Sequence, residues 1–476
     1  MRSERKALRL LALAGFLLLT CPSVPAQSLH LPPHEKVVLK NGLTVLLMEK
    51  RGVPLIDVYA VIKTGAAADP AGEEGLASVT AALLRKGTKT RTARQFAGDF
   101  DYIGGSFETG AAADFTYISA EFMTKDLARG LELFSDAVLH PIFAQEEANK
   151  ILAQSVDGVK AAKDDDPQSV LGLYYQGYLF GSNPYGRPPD GDELSLKRIQ
   201  RDSIIKFFEA NYAPGNTILG IAGEFDAAEM RKQLEETLGT WPARTVANAA
   251  VAPVAPEKGK RLLLIDKPDA TQTYFAIGNI GTAANDPDRV AIRVVNTIFG
   301  GRFTSELNEA LRVESGYTYG AGSYFDSRKT PGPFEIYSFT KNETTVPTID
   351  LALKVLEKLH ENGVTAEQLA SAKSYIKGQY PPTIETSGQL ARRIVLNEFY
   401  GLGDDEVNQL EARVDAVTPA IAKQIIEKHF PLDNLVFVLI GNASAIGPAV
   451  KKYAEKIDQR PISEPGFWPP PTGAQK

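Results

Sequence analysis

Arg312 and Tyr319, seven residues apart, are the side chains of this sequence best suited to meeting developing negative charge. A guanidinium stays protonated at any working pH and a phenol adds a neutral O–H donor, so both could donate to an oxyanion. The plainer alternative has Arg312 capping or ion-pairing its own helix and Tyr319 in a core. Taken alone, the two residues favour that alternative. Other chemistry-bearing groups are sparse. The histidines are His30, His34, His140, His360 and His429, and only His30 and His34 have four-residue spacing. Pro32 and Pro33 keep that pair out of a regular helix, so a solvated leader is expected, and the other three read as structural. Asp164-Asp165-Asp166 before Pro167 reads as a solvated turn at a helix start, not a calcium loop. Gly104-Gly105 and Gly300-Gly301 lack the Lys-Ser/Thr of a phosphate loop. They are expected to end helices or to admit a close backbone.

Residues 73–88 form an expected helix with Glu73 and Glu74 in its first turn, Arg85 and Lys86 in its last, and Gly87 as its stop. The flanks Gly75-Leu76-Ala77 and Leu83-Leu84-Arg85-Lys86-Gly87-Thr88 resemble the Gly-Leu-Ala-His-x-x-Glu-His-(Met/Leu)-Leu-Phe-Lys-Gly-Thr segment of the pitrilysin/insulinase metallopeptidases. In that inverted zinc motif two His four apart share a helix face and bind the metal, and the Glu holds the attacking water. Those positions are Ser78, Ala81 and Ala82 here. The family's third ligand, a Glu on a later helix, would fall near Asp157-Gly158, where there is no Glu. The motif is degenerate, and no zinc is expected in this chain.

A second match lies in residues 299–319. Gly300-Gly301, Leu307, Leu311-Arg312, Gly316 and Tyr319 resemble the family's Gly-Gly-x-x-(Ser)-x-Leu … Leu-Arg-x-x-x-Gly-x-x-Tyr signature. The resemblance implies that Arg312 and Tyr319 hold the substrate carbonyl beside a zinc that a partner subunit supplies. Phe180-Gly181 through Pro184-Tyr185-Gly186 likewise resembles the family's Phe-Gly-x-x-Pro-Tyr-Gly loop.

The chain has 476 residues, 43% hydrophobic and 23% charged, and suits more than one domain. Residues 1–26 have a basic start, an apolar run at 10–19 and small residues before Gln27, the pattern of a signal peptide. Its removal takes away four bases and one acid and moves the formal charge from −6 to −9. Such a balance argues against nucleic acid as a partner. Cys21 is the only cysteine, so the processed chain could form no disulfide, which suits a bacterial periplasm. Lipidation at Cys21 is the weaker reading because Thr20 precedes it. No second apolar run is long enough to cross a membrane.

Asn41-Gly42 between apolar runs signals a hairpin. Strands are expected at 55–62, 115–122 and 217–222, and helices at 92–103, 125–139, 145–163, 169–179 and 194–211. Asp69-Pro70 recurs as Asp286-Pro287, Phe180-Gly181 as Tyr400-Gly401, and 211–216 as 429–434, at offsets of 217, 220 and 218. Three matches at nearly one offset indicate a duplication. The expected fold is α+β: two homologous sheet-plus-helix domains at 27–245 and 261–460 that close like a clam shell. A linker at 246–260 and a Pro-rich tail at 461–476, extended or laid across a partner, complete the chain.

Two functions fit. The first is the substrate-binding, zinc-free subunit of a heterodimeric metallopeptidase, acting on peptides or unfolded polypeptides with a zinc-bearing homologue. The second is a non-proteolytic scaffold or peptide-binding protein of the same fold. A self-sufficient hydrolase built on Ser78 has little support, since no His is near it in sequence.

Overall fold

Strands Thr217–Gly223 and Val436–Gly441 are buried at every residue, so each must lie in the middle of a sheet covered on both faces. The computed structural model describes residues 30–247 and 250–467 and shows both sheets. The first has the spatial order β1 (Glu35–Val38), β2 (Thr44–Glu49), β6 (Thr217–Gly223), β3 (Leu55–Ile62), β5 (Thr116–Met123), β4 (Ser106–Ala111). The second runs β12 (Lys456–Pro461), β7 (Arg261–Asp266), β11 (Val436–Gly441), β8 (Gln272–Ile280), β10 (Pro333–Lys341), β9 (Ala321–Phe325). Five strands correspond. Their starts pair 44 with 261, 55 with 272, 106 with 321, 116 with 333 and 217 with 436. The sixth strand breaks the repeat: β1 is antiparallel to β2, whereas β12 is parallel to β7.

Helices α1 (Leu76–Leu83), α2 (Ala93–Tyr102), α3 (Leu127–Leu139), α4 (Gln145–Asp165), α5 (Pro167–Phe180), α6 (Arg201–Asn211) and α7 (Ala227–Glu236) belong to the first half. The second half has α8 (Arg289–Phe299), α9 (Thr345–Asn362), α10 (Ala366–Gln379), α11 (Ser387–Tyr400), α12 (Pro419–His429) and α13 (Ala443–Val450). The two halves exchange one helix each. α5 packs on β8 and β11 of the second sheet, and α11 packs on β3 and β6 of the first. Tyr174, Tyr175 and Tyr178 of α5 are buried there with Leu263, Val438 and Ile440. Tyr175 Oη donates to Phe334 O at 2.7 Å, and Tyr178 Oη to Asp458 Oδ2 at 2.8 Å. Arg261 of β7 donates to the last carbonyls of α5, Tyr178 O at 2.8 Å and Leu179 O at 3.0 Å. The expected clam shell is therefore a pair of lobes interlocked by their helices.

The 180–186 loop closes the same seam. Tyr185 Oη donates to Asp114 Oδ1 at 2.6 Å, while Lys329 N donates to Asp114 Oδ2 at 2.8 Å from the other half. Past residues 248–249, which lie outside the described residues, the linker runs along this core with Val251 and Val254 packed against it.

Several local expectations need correction. The helix at 73–88 is shorter: α1 spans Leu76–Leu83, with no acid in its first turn and no base in its last. Its N-terminus is served from a distance, Asp69 accepting Gly75 N at 2.8 Å and Ala77 N at 2.9 Å. The helix at 194–211 starts only at Arg201, because Asp192 Oδ1 takes the N–H groups of Leu194 and Ser195 into a turn. Edge strand β4 went unanticipated, its Ser, Gly and Ala giving no strand signal. The leader is not solvated at its end. Leu31 is buried and its N–H donates to Asn408 Oδ1 at 2.8 Å, and His34 lies 3.6 Å from Asp404. The signal segment 1–26, with Cys21, and Pro469-Pro470-Pro471 lie outside the described residues. No described helix is long and apolar enough to cross a membrane.

The exchanged helix α11 yields two tests. At Gly220 a Cβ would lie 2.5 Å from Val395 Cγ2 and 2.9 Å from Ala391 O, so Gly220→Ala must push α11 off β6. It should cost about 1–3 kcal/mol in urea unfolding, where an unhindered strand glycine would gain from alanine. Asp57, beneath Gly388 of α11, stands opposite Glu121 in the β3–β5 register. Burial, then the Glu121 carboxyl, push Asp57 up to about 7 against the pull of Lys50. The folded state thus holds this proton more tightly than the unfolded chain, so the carboxyl subtracts stability as pH rises from about 4 to 7. Asp57→Asn should raise the melting temperature at pH 8 and leave it unchanged at pH 4. Equal gains at both would make the effect one of packing.

Candidate functional site

Ser78 and Ala82 are four apart on α1 and share a face. With Gly158 of α4, Val170 and Leu173 of α5 and Phe467 from the end of the described chain, they line a cavity of about 300 Å³. The degenerate motif and the expected third-ligand position thus do converge. Ala81 is fully buried and is not part of the cavity wall. Asp157 is exposed, with Lys160 Nζ 3.4 Å from its carboxylate. A Cβ on Gly158 would meet nothing within 4 Å. Ser78 Oγ donates to Asp190 Oδ1 at 2.6 Å. One hydroxyl, one methyl and one missing side chain do not fit zinc, which needs several N, S or O ligands at tetrahedral spacing. No histidine is among the residues lining the cavity. Asp69, which holds the start of α1, is pushed up to about 8 by burial despite its two N–H donors.

Arg312 and Tyr319 stand elsewhere, on one segment of the second half. Arg312 lies in a π-helical turn, Glu309–Glu314, a distortion found often at functional sites. Its guanidinium sits 4.4 Å from the centre of the exposed Phe303 ring, and no carboxylate pairs with it among the described residues. Tyr319 is 82% exposed. Neither residue follows the plainer alternative: the arginine is not ion-paired and the tyrosine is not in a core. The backbone under them is tied down. Buried Thr318 Oγ1 donates to Gly320 O at 3.0 Å and accepts Gly320 N at 3.1 Å, and Ser338 Oγ donates to Gly320 O at 2.9 Å. Asn308 Nδ2 donates to Phe303 O at 2.6 Å, and its Oδ1 accepts Ala321 N at 3.2 Å. Gly300 ends α8, and a Cβ there would meet Ser323 N at 2.7 Å, so this glycine admits a close backbone.

Residues 44–187 match the family model described as Insulinase (Peptidase family M16), and residues 198–376 the one described as Peptidase M16 inactive domain. This chain belongs to the M16 peptidase family. An uncharacterized zinc protease of Rickettsia bellii is 29% identical over 71% of this chain and 81% of its own length. One from Streptomyces coelicolor is 25% identical over 79% of this chain and 81% of its own. Among solved structures, a peptidase M16 inactive domain from Pseudomonas fluorescens has the same fold, with TM-score 0.81, 24% identity and coverage of 90% and 99%. A protease from Helicobacter pylori follows at TM-score 0.77, 19% identity and coverage of 87% and 100%.

Two further features of this M16 chain were not read from sequence. Asp286, Asp288 and His429 bring their ligand-type atoms within 4.8 Å of one another. Lys428 Nζ at 2.7 Å and His429 Nε2 at 3.0 Å already share Asp288 Oδ2, so the group is complete as an ion-paired cluster. The tail is the second. The sequence predicts a tail that is extended or laid across a partner, whereas residues 464–467 return to the first half of their own chain. Buried Lys163 Nζ lies 2.6 Å from Glu193 and donates to Glu464 O at 3.1 Å and Gly466 O at 3.0 Å. Gly466 N donates to Glu193 Oε2 at 2.9 Å, and Phe467 packs edge-on against Tyr174 at 5.0 Å. Only residues far apart in sequence make this clamp, so no local pattern announced it.

Proposed function

We propose that this chain is the zinc-free, substrate-holding subunit of a two-chain M16 peptidase that cleaves peptides or unfolded polypeptides. The observation that carries the reading is the Arg312–Tyr319 segment: an unpaired guanidinium and an exposed phenol on a backbone fixed from beneath. Peptide cleavage places negative charge on the carbonyl oxygen, and donors that are already oriented stabilise it without reorganising. This chain's own motif positions hold nothing that fits a metal, so a zinc-bearing homologous subunit would supply zinc and the activated water. The leader at 1–26 supports export, with a bacterial periplasm the compartment proposed.

The purified chain should contain no stoichiometric zinc and should not cleave peptides alone, and activity should appear on mixing with a zinc-bearing homologue from the same cell. About one zinc per chain, lost together with a chelator-sensitive activity, would sink the reading. Two species that sediment independently, with no gain in peptidase rate, would favour the scaffold instead.

In the reconstituted pair, Arg312→Ala and Tyr319→Phe should each lower kcat by about a hundredfold to a thousandfold, the scale of one lost oxyanion donor. KM should change less, since each contact strengthens in the transition state. Tyr317→Phe is the internal control and should be nearly silent. Mutants that pair normally and keep near wild-type kcat would overturn the assignment.

A further inference from the structure

The cavity at the degenerate motif has an uneven wall. Val79, Ile151, Val170, Leu173 and Phe467 make most of it apolar, Ser155 and Ser169 add hydroxyls, and Asp190 is the only charged residue among the described residues that line it. Asp190 is exposed, takes the Ser78 hydroxyl on Oδ1, and pairs with no cation among the described residues. At about 300 Å³ the space is at the small end of ligand pockets, large enough for one bulky side chain. It is also built rather than incidental: one wall, Phe467, is carried there from the second half by the Lys163–Glu193 clamp.

A mostly apolar chamber with a single carboxylate at its exposed edge favours an apolar body with a cation close beside it. A lysine side chain fits poorly, because its thin stem would leave the chamber underfilled and put the charge at the far end of the stem. A free amino terminus fits better, since its ammonium sits one bond from the Cα that bears the first side chain. We propose that this cavity binds the amino-terminal residue of a peptide, a large apolar side chain filling the chamber and the α-ammonium paired with Asp190. The proposal rests on the reading of this chain as a peptide holder. It is tested on the single chain, without partner or zinc, so its failure and that of the subunit reading stay distinguishable.

The test is calorimetric titration of the purified chain at pH 6.5, where an α-amine is charged, with Leu-Ala-Ala-amide as the probe. N-acetyl-Leu-Ala-Ala-amide, which lacks the charge, and Gly-Ala-Ala-amide, which lacks the side chain, should each bind at least about tenfold more weakly. Asp190→Asn should lose at least about tenfold for the free-amine peptide and nothing for the acetylated one. Gly158→Leu fills the chamber from α4, where a Cβ has open space, and should abolish binding. Ala82→Leu fills it from α1 and serves if the first variant unfolds. Equal affinity for the acetylated peptide, undiminished binding in a folded filled variant, or no heat from the probe would overturn the proposal. So would tighter binding of N-acetyl-lysine-amide, which would make the site one for a lysine side chain.

Discussion

Each sheet of this protein has a central strand with no exposed residue, and neither half covers both faces of its own sheet. The missing cover comes from the other half. α5 lies on β8 and β11, and α11 lies on β3 and β6. Burial of three tyrosines of α5 against the second sheet removes a large apolar area from water, at roughly 25 cal/mol per Å². Because the exchange is reciprocal, neither half can release its helix without exposing the partner sheet. Two of the three hydroxyls follow, those of Tyr175 and Tyr178 finding acceptors across the seam, and Arg261 donates to the carbonyls at the end of α5. Buried polar groups left without partners would have cost more than these bonds contribute.

The exchange also decides where the cavity lies. α4 stays on its own half beside α1, whereas α5, which starts two residues after α4 ends, crosses to the other sheet. The gap that opens between α1, α4 and the first turns of α5 is the chamber lined by Ser78, Gly158 and Val170. Asp164, Asp165 and Asp166 stand exposed at the crossing, and Pro167 at the first position of α5 suits the sharp change of direction. The tail then closes the chamber with Phe467, so its walls come from both halves.

What the sequence made legible was local or periodic. The strand at 55–62 coincides with β3, the helix at 92–103 contains α2 and its Thr92 capping box, and the repeat offset reappears at five strand starts. Asn41-Gly42 turned the β1–β2 hairpin as read, with Gly42 at φ +92°. The unread features depend on distant partners. Asp69 reaches past six residues to hold α1, the Lys163–Glu193 clamp spans both halves, and the choice of sheet for α5 and α11 leaves no periodic trace. At the degenerate motif, the positions that the family resemblance marked include Ser78, Ala82 and Gly158, which line one cavity, and Ala81 and Asp157, which do not. The resemblance did not reveal Asp190, which arrives on a loop more than a hundred residues away.

The two candidate sites are separable by their electrostatics. A zinc site is charged, and its ligands must be deprotonated and held by further hydrogen bonds. The chamber on α1 is mostly apolar, with serine hydroxyls and one carboxylate but no cationic group among the described residues that line it, so it can take bulk and one cation. The Arg312–Tyr319 segment has the opposite character: two donors, no acceptor paired with the guanidinium, and a backbone that Thr318, Ser338 and Asn308 hold still. An arginine meant only to stabilise its own helix would gain by pairing with Glu309, three residues earlier, yet it lies over the Phe303 ring. Forgoing that ion pair costs at most about 0.5 kcal/mol for an exposed helical pair. The cost is small against what a preoriented donor contributes when a carbonyl oxygen becomes an anion, so the oxyanion role proposed for Arg312 would more than offset it.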